Sequence, residues 1–281
     1  MNSINIGIIG LGYVGKACES IFSNFFNTYT FDINGSGSEN SLKTLVGKVD
    51  ILFICVPTPM NADGSCNLEI VETVLTDIND CKNSICIIKS TITPGSSTYF
   101  EKKFKNLKIY FNPEFLTEAN FIEDFKNQTQ IIIGSSDKNF NLIEKIYQLS
   151  LPNAKIIKCN FEEAEMVKYF INTFLAVKVS YANELFNLCN KMNIDYKKVS
   201  EIAQHDDRLG SSHFKVPGPD GKFGFGGSCF PKDINSLIDI FNKKGVKSYV
   251  LKAAWDRNTN EDRINRDWEQ LIGRAVVKND E

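Results

Sequence analysis

The segment Gly224-Phe-Gly226-Gly227-Ser-Cys229-Phe-Pro231-Lys232-Asp233 gathers several reactive residue types within ten positions. Glycines let the backbone bend tightly and present a side chain, and Pro231 fits the first turn of a helix. Cys229 is therefore expected close to a helix N-terminus, a position that favours thiolate over thiol. Asp233 follows four residues on, one turn away on the same face. The competing reading is a structural cysteine buried beside a flexible loop. A glycine-rich approach to a helix start is an elaborate way to bury one thiol, so a nucleophile is the preferred reading.

Lys168 and Asn172 also stand four apart, in a stretch of helical periodicity, and an amine beside an amide suits a developing oxyanion. Asn112-Pro-Glu114-Phe-Leu-Thr-Glu118 sets two carboxylates at the same spacing after an apolar run, and either could serve as general base if burial raised its pKa. Most pairs at this spacing are solvated helix faces. These gain weight because each adjoins a strand end or a change of pattern.

Near the N-terminus, Gly10-Leu-Gly12-Tyr-Val-Gly15 follows one apolar run and opens a helical pattern. The first glycine permits a tight turn, the second lets backbone approach a pyrophosphate, and the third allows close helix–strand packing. Asp32 comes 22 residues after Gly10, where a carboxylate can bind adenosine ribose hydroxyls. Ile33 and Asn34 follow it, with no Arg for a 2′-phosphate, which favours NAD over NADP. The alternatives are FAD, another nucleotide, or no ligand. Cys55-Val56-Pro57-Thr58-Pro59 and Ser90-Thr91-Ile-Thr-Pro94 end two further apolar runs, where open α/β sheets bind ligands. Taken alone, both could be ordinary strand-ending turns.

The elements that must position these residues are legible as patterns. Runs at 4–9, 28–33, 50–55, 84–89, 108–111, 130–134 and 154–159 are continuously apolar and read as strands covered on both faces. Val14, Ala17, Cys18, Ile21 and Phe22 recur at helical spacing between the first two. The expected fold is α/β, a doubly wound, mostly parallel Rossmann-type sheet, followed by a long central helix and a smaller helical domain. No Gly or Pro interrupts Glu162 to Met192, which predicts a helix of more than about 40 Å. Further helices are expected near 196–204, 232–243, 248–258 and 261–272, with a Gly-rich loop over 205–230. The domain change is placed at residue 160, giving a nucleotide-binding domain over 1–160 and a helical domain over 161–281. Phe170, Phe174, Val177, Tyr181, Leu185, Leu188 and Met192 form a stripe on the long helix. It predicts a homodimer through paired helices, against the alternative of a buried intramolecular helix.

Composition sets the outer bounds. The 281 residues are 42% hydrophobic and 23% charged, enough for a real core. Thirty-two Lys and Arg against 34 Asp and Glu leave a net charge of −2, which argues against nucleic acid as partner. No run of 18 apolar residues is present and the start lacks a secretory pattern, so neither membrane nor export is expected. The eight cysteines, Cys18, Cys55, Cys66, Cys81, Cys86, Cys159, Cys189 and Cys229, form no CxxC, and only His205 and His213 could join them. No metal site is expected, and reduced thiols in a cytoplasmic location are.

The motifs GLGYVG, CVPTP, STITPG, NPEFLTE, AEMVKYFIN and GFGGSCFPKD stand in the order found in the UDP-glucose/GDP-mannose 6-dehydrogenase family, which this chain resembles from residue 4 to about 260. The resemblance implies NAD-dependent, four-electron oxidation of a nucleotide sugar at C6, UDP-glucose first and GDP-mannose or another sugar as alternatives. It implies that Cys229 captures the aldehyde as a thiohemiacetal, which becomes a thioester and is hydrolysed. Lys168 and Asn172 would stabilise the C6 oxygen, Asp233 and Thr91 would position water, and Glu114 would act as base. Gly10, Gly12, Tyr13, Val14, Gly15, Asp32, Val56, Pro57, Thr58, Thr91, Glu118 and Lys232 would form the cofactor side. Phe115, Leu116, Lys168, Asn172, Arg208, Lys215, Phe223 and Gly226 would form the sugar-nucleotide side, with Arg208 reaching a neighbouring subunit's substrate. The stretch Pro217-Gly-Pro-Asp-Gly-Lys222 reads as an insertion that disturbs the alignment at Lys215.

Relatives of full length carry a second nucleotide-binding domain, whereas 52 residues follow Cys229 here and read as helices. The expectation is a short form. A non-catalytic nucleotide-binding regulator and a half-enzyme completed by a separate chain remain as alternatives. The joint presence of Cys229, Lys168 and Asn172 argues against the regulator.

Overall fold

Runs of Ile, Leu and Phe with no polar face leave a strand only one stable place, the centre of a sheet covered on both sides. The structure, a computed structural model, describes residues 4–80, 84–137 and 140–278; Cys81 lies outside them. The described chain divides into two compact units, one running to Thr58 and resuming over Leu68–Lys168, the other comprising Pro59–Asn67 and the chain from Tyr169 on. This division falls inside the long helix, after Lys168, eight residues beyond the change of sequence pattern at residue 160. A continuous helix crosses from one unit to the other, so periodicity shows no break at that point.

The first unit holds β1 (Asn5–Ile9), β2 (Asn27–Phe31), β3 (Ile51–Ile54), β4 (Ser84–Ile88), β5 (Leu107–Phe111), β6 (Gln130–Gly134) and β7 (Lys155–Cys159). They form one sheet in the order β2-β1-β3-β4-β5-β6-β7. Every pairing is parallel except β5 with β6, which meet antiparallel at Phe111 and Gly134. Neighbours along β3 serve opposite faces. Phe53 packs with Phe22, Phe125 and Tyr147 under α1 (Tyr13–Phe22), α5 (Phe121–Lys126) and α6 (Asn141–Ser150). Ile54 packs with Leu45, Leu75, Phe100 and Phe161 under α2 (Leu42–Val46), α3 (Glu69–Ile78), α4 (Ser96–Lys103) and the start of α7 (Phe161–Lys191). This is the doubly wound α/β arrangement, and it brings the loops after β1, β3, β4 and β5 to the carboxyl edge of the parallel strands.

In the second unit, the remainder of α7 is joined by α8 (Tyr196–Ala203), α9 (Phe230–Lys243) and α10 (Tyr249–Arg257). Ala176, Phe225, Ile234 and Ala254 form its main core, and Ala182, Cys189 and Tyr196 a second. The helix expected over 261–272 does not form. A π-helical turn at Asn258–Asp262 is followed by a break at Arg263 and Arg266, then a 3-10 turn at Asp267–Gln270. Ile264, Trp268 and Leu271 stand at helical spacing, but Ile264 is exposed while Trp268 is buried. Among the described residues no helix is long and apolar enough to cross a membrane.

The stripe on α7 splits. Val177 and Leu185 pack into the second unit's own cores, whereas Phe170, Phe174, Tyr181, Leu188 and Met192 remain exposed in the single chain. Phe170 and Phe174 lie parallel to each other, with ring centroids 6.5 Å apart.

Candidate active site

The glycine-rich turn stands between β1 and α1. Gly12 caps α1 with no side-chain hydrogen bond, and a Cβ there would meet nothing within 4 Å. The first-turn N–H groups thus open onto free space, the arrangement that receives phosphate at a helix start. Gly15 answers to packing: its Cβ would lie 1.9 Å from the Gly10 carbonyl oxygen. Asp32 closes the far side of the turn. Its Oδ2 accepts the Leu11 N–H at 2.6 Å and its Oδ1 that of Asn34 at 3.0 Å. The carboxylate is thereby fixed beside the turn with acceptor capacity left for vicinal hydroxyls, and these residues fit a dinucleotide.

The other expected cofactor residues are spread more widely. Tyr13 packs its ring 5.3 Å from that of Phe121, while Val14 faces partly into the core. Pro57 is exposed and Thr58 buried at the end of β3. The Val56 carbonyl accepts the Ser90 hydroxyl at 2.6 Å, which ties the β3 and β4 exit loops together next to Thr91. Thr91 and Glu118 are half-buried.

Two residues outside the expected set fix this end of the sheet. Lys89, the last residue of the run SICIIK, is buried, and its ammonium lies 2.9 Å from Glu114 Oε2 and 2.7 Å from Asn112 Oδ1. Burial opposes its charge, but the Glu114 carboxylate outweighs that and holds the Lys89 ammonium above its ordinary range. The other Glu114 oxygen accepts Gln128 Nε2 at 2.6 Å and the Phe115 N–H at 2.9 Å. Glu114 is thus a carboxylate heavily occupied by donors, while its main-chain carbonyl accepts from Lys168 Nζ. The Lys168 ammonium also stands 5.2 Å from the Phe115 ring centroid.

Glu165, three residues before Lys168 on α7, accepts the Gly95 N–H at 2.6 Å and the Ser97 N–H at 2.7 Å. It caps α4 from outside and holds the loop that begins at Thr91. Burial pushes its carboxyl up to about 7 despite those two donors. A carboxyl raised from about 4.5 to about 7 contributes stability that is present below the unfolded value and lost as pH rises to the folded one. Stability from this group should therefore fall by about 3 kcal/mol between pH 4 and 8. Urea midpoints across that range check it, because Glu165→Gln should flatten the slope; an unchanged slope would refute the assignment.

The second unit carries the thiol. Cys229 is the N-cap of α9, and its carbonyl accepts the Asp233 N–H at 3.0 Å, the first helical bond. The Asp233 carboxylate is buried between Asn172 Nδ2 at 2.6 Å and Lys232 Nζ at 2.6 Å. Burial opposes the Lys232 charge, yet Asp233 and, more weakly, Cys229 and Cys66 hold its ammonium above the ordinary range. Lys232 thus already has a partner within its own unit. Arg208 is exposed on its loop and ion-paired with Asp206 at 2.5 Å. Lys215 is exposed, and Phe223 packs its ring 5.6 Å from Phe186. Gly226 adjoins the Arg263 guanidinium. The described cysteines are free thiols, and no cluster of three or more metal-ligating side chains occurs among the described residues.

Of the residues singled out in the sequence, the first unit thus brings Glu114, Phe115 and Lys168 together, and the second brings Asn172, Cys229, Lys232 and Asp233 together. Lys89 and Glu165 were missed. Both had a local signal: a lysine ending an otherwise apolar strand, and a glutamate inside the AEMVKYFIN motif.

Known proteins resemble this chain along most of its length. The model of the UDP-glucose/GDP-mannose dehydrogenase family's NAD binding domain matches residues 34–150, and that of its central domain matches 162–260. UDP-glucose 6-dehydrogenase of Rickettsia bellii is 37% identical over 215 residues, 73% of this chain and 48% of that protein. UDP-glucose 6-dehydrogenase TuaD of Bacillus subtilis is 34% identical over 232 residues, 79% of this chain and 49% of that one. A UDP-glucose dehydrogenase structure from Pyrobaculum islandicum superposes with a TM-score of 0.83 at 27% identity, covering 92% of this chain and 68% of that one. The chain spans about half the length of the curated relatives it matches. With both family models matching in order, the cofactor of the first unit is NAD, and the chain belongs to the UDP-glucose/GDP-mannose dehydrogenase family.

Proposed function

We propose that this chain oxidises a nucleotide sugar at C6 from alcohol to carboxylate, with UDP-glucose the first candidate and GDP-mannose the second. The observation that carries the reading is Cys229 at the start of α9, beside an Asp233 carboxylate held by Asn172 and Lys232. A simple alcohol dehydrogenase has no use for such a thiol. Bound at the first unit, NAD would supply a two-electron acceptor for each of two oxidations. The Cys229 sulfur adds to the aldehyde carbon, and the carbonyl oxygen takes a proton, so the aldehyde cannot escape before the second oxidation. That oxidation leaves a thioester, whose C–S bond breaks when water adds; the thiol leaves with a proton and the sugar as a carboxylate. Lys168 and Asn172, one turn apart on α7, are assigned to the oxygen at C6. Glu114, engaged with Lys89 and Gln128, is assigned to orient Lys168 through its carbonyl as much as to act as base.

Incubating the chain with UDP-glucose or GDP-mannose and NAD tests the reading by stoichiometry. Two NADH per sugar are expected with one of them. No NADH with either would favour a binding protein or a half-enzyme that needs another chain.

Asp32 sets the choice of dinucleotide in this proposal, because a carboxylate repels a 2′-phosphate. Replacing it with Ala should lower the ratio of kcat/KM for NAD over NADP at least about tenfold, roughly 1.4 kcal/mol, while leaving the fold intact. An unchanged ratio would remove Asp32 from the site.

The exposed residues of α7 are assigned to a symmetric homodimer, since so many apolar side chains on one helix seldom face water in a monomer. Mixing an Arg208→Ala chain with a Cys229→Ser chain should then restore activity, because one hybrid site keeps both residues. A 31.7 kDa species in sedimentation that retains full activity at nanomolar concentration would exclude both the dimer and the shared site.

A further inference from the structure

The backbone that leads into Cys229 is held by two side chains that no part of the proposed chemistry uses. Asn258 is fully buried and faces Phe225 edge to edge: the Phe225 N–H donates to Asn258 Oδ1 at 2.8 Å, and Asn258 Nδ2 donates to the Phe225 carbonyl at 2.9 Å. Arg263, also buried, donates from Nε to the Phe223 carbonyl at 2.9 Å and from Nη2 to that of Gly224 at 3.4 Å. Its Nη1 is neutralised by Asp220 at 2.8 Å and Asp267 at 3.0 Å. The Gly224 N–H donates to Asn183 Oδ1 on α7 at 3.2 Å. Phe223, Gly224 and Phe225 thus give five main-chain polar groups to side chains, all within the second unit.

Two features show that the surroundings are shaped to this contact. A Cβ on Gly224, at φ +65°, would lie 2.3 Å from Asn258 Oδ1, and one on Gly226 would lie 2.3 Å from Arg263 Nη1. The glycines before the thiol are therefore where the two side chains enter. Asn258 and Arg263 stand five apart, and the Arg263 N–H donates to the Asn258 carbonyl at 2.7 Å across the π-helical turn. An ordinary α-helical turn would offset residues five apart around the axis; the wider turn aligns them on one strip of backbone.

We propose that Asn258 and Arg263 are positioning residues that preset the loop 223–226 and thereby fix the Cys229 thiol at the start of α9. The proposal rests on the functional reading only in taking Cys229 as the reacting thiol. A loop fixed before substrate arrives need not be ordered at the moment of reaction, and the Cys229 thiol is then presented in one orientation rather than several.

The test needs neither cofactor nor sugar. Alkylation of each cysteine of the full chain by iodoacetamide at pH 7.5 is followed by peptide mass spectrometry. Arg263→Lys keeps the charge and loses the fork; Asn258→Ala removes the paired amide. Both should slow Cys229 alkylation at least fivefold while Cys66, half-buried in the same unit, reacts at its original rate and NAD affinity is retained. An unchanged Cys229 rate in both variants overturns the proposal. So does an equal change at all thiols, or failure of both variants to fold, since the clamp would then serve only general stability. A chain that makes no NADH yet shows this alkylation pattern counts against the functional reading and leaves the clamp standing.

Discussion

Cys229→Ser should stop the reaction after its first oxidation and lower the formation of sugar acid by about three orders of magnitude or more, the scale seen when an activated nucleophile is removed. The reason lies in what the thiol must do twice. In the proposed reaction it holds the aldehyde as a covalent adduct, and it leaves as the better leaving group when water attacks the thioester. A serine hydroxyl at the same N-cap can form a hemiacetal, but it is a weaker nucleophile and would leave an ester that water cleaves slowly. The measurement is NADH per sugar in a single turnover: two for the native chain, at most one for the variant. Cys18, Cys55 and Cys86 are buried within the first unit, so serine there should affect stability rather than stoichiometry. A Cys229→Ser chain that yields two NADH at the native rate would refute covalent capture.

What could be read in the residues beforehand follows a physical divide. The glycine-rich turn, Asp32 and the Cys229 helix start depend on a few neighbouring residues, and backbone geometry is local there. The apolar runs place the strands to within a residue or two, because a buried strand has no polar face to lose. Lys89 with Glu114 could not be read the same way. Their pairing depends on β4 and β5 lying side by side in register, a tertiary fact with no trace in spacing. The absence of the helix expected over 261–272 has a related reason. The apolar spacing of Ile264, Trp268 and Leu271 is helical, but the demand of Phe223, Gly224 and Phe225 for hydrogen-bond partners, met by Asn258 and Arg263, outweighs it. The same holds for α7, where Val177 and Leu185 turned out to serve the unit's own cores rather than one uninterrupted stripe.

The largest expected effect on stability comes from Asp233. Its carboxylate is buried and takes donors from Lys232 and Asn172, so Asp233→Asn leaves the Lys232 ammonium without its counter-charge. Stranding a buried charge in this way costs about 3–5 kcal/mol, a large share of the stability of an ordinary domain. Adding Lys232→Met removes the stranded charge, and most of the loss should return, because well-packed apolar side chains often replace a buried pair without penalty. Activity should not return with it. If Asp233 positions water for thioester hydrolysis, the double variant at saturating NAD would fold yet accumulate the covalent sugar adduct on Cys229, visible as a mass increase on the intact chain. Urea midpoints read the first effect and intact mass the second. A single Asp233→Asn variant as stable as the native chain would mean that Lys232 finds solvent or another partner. A double variant that turns over at the native rate would confine Asp233 to holding Lys232 and Asn172 in place.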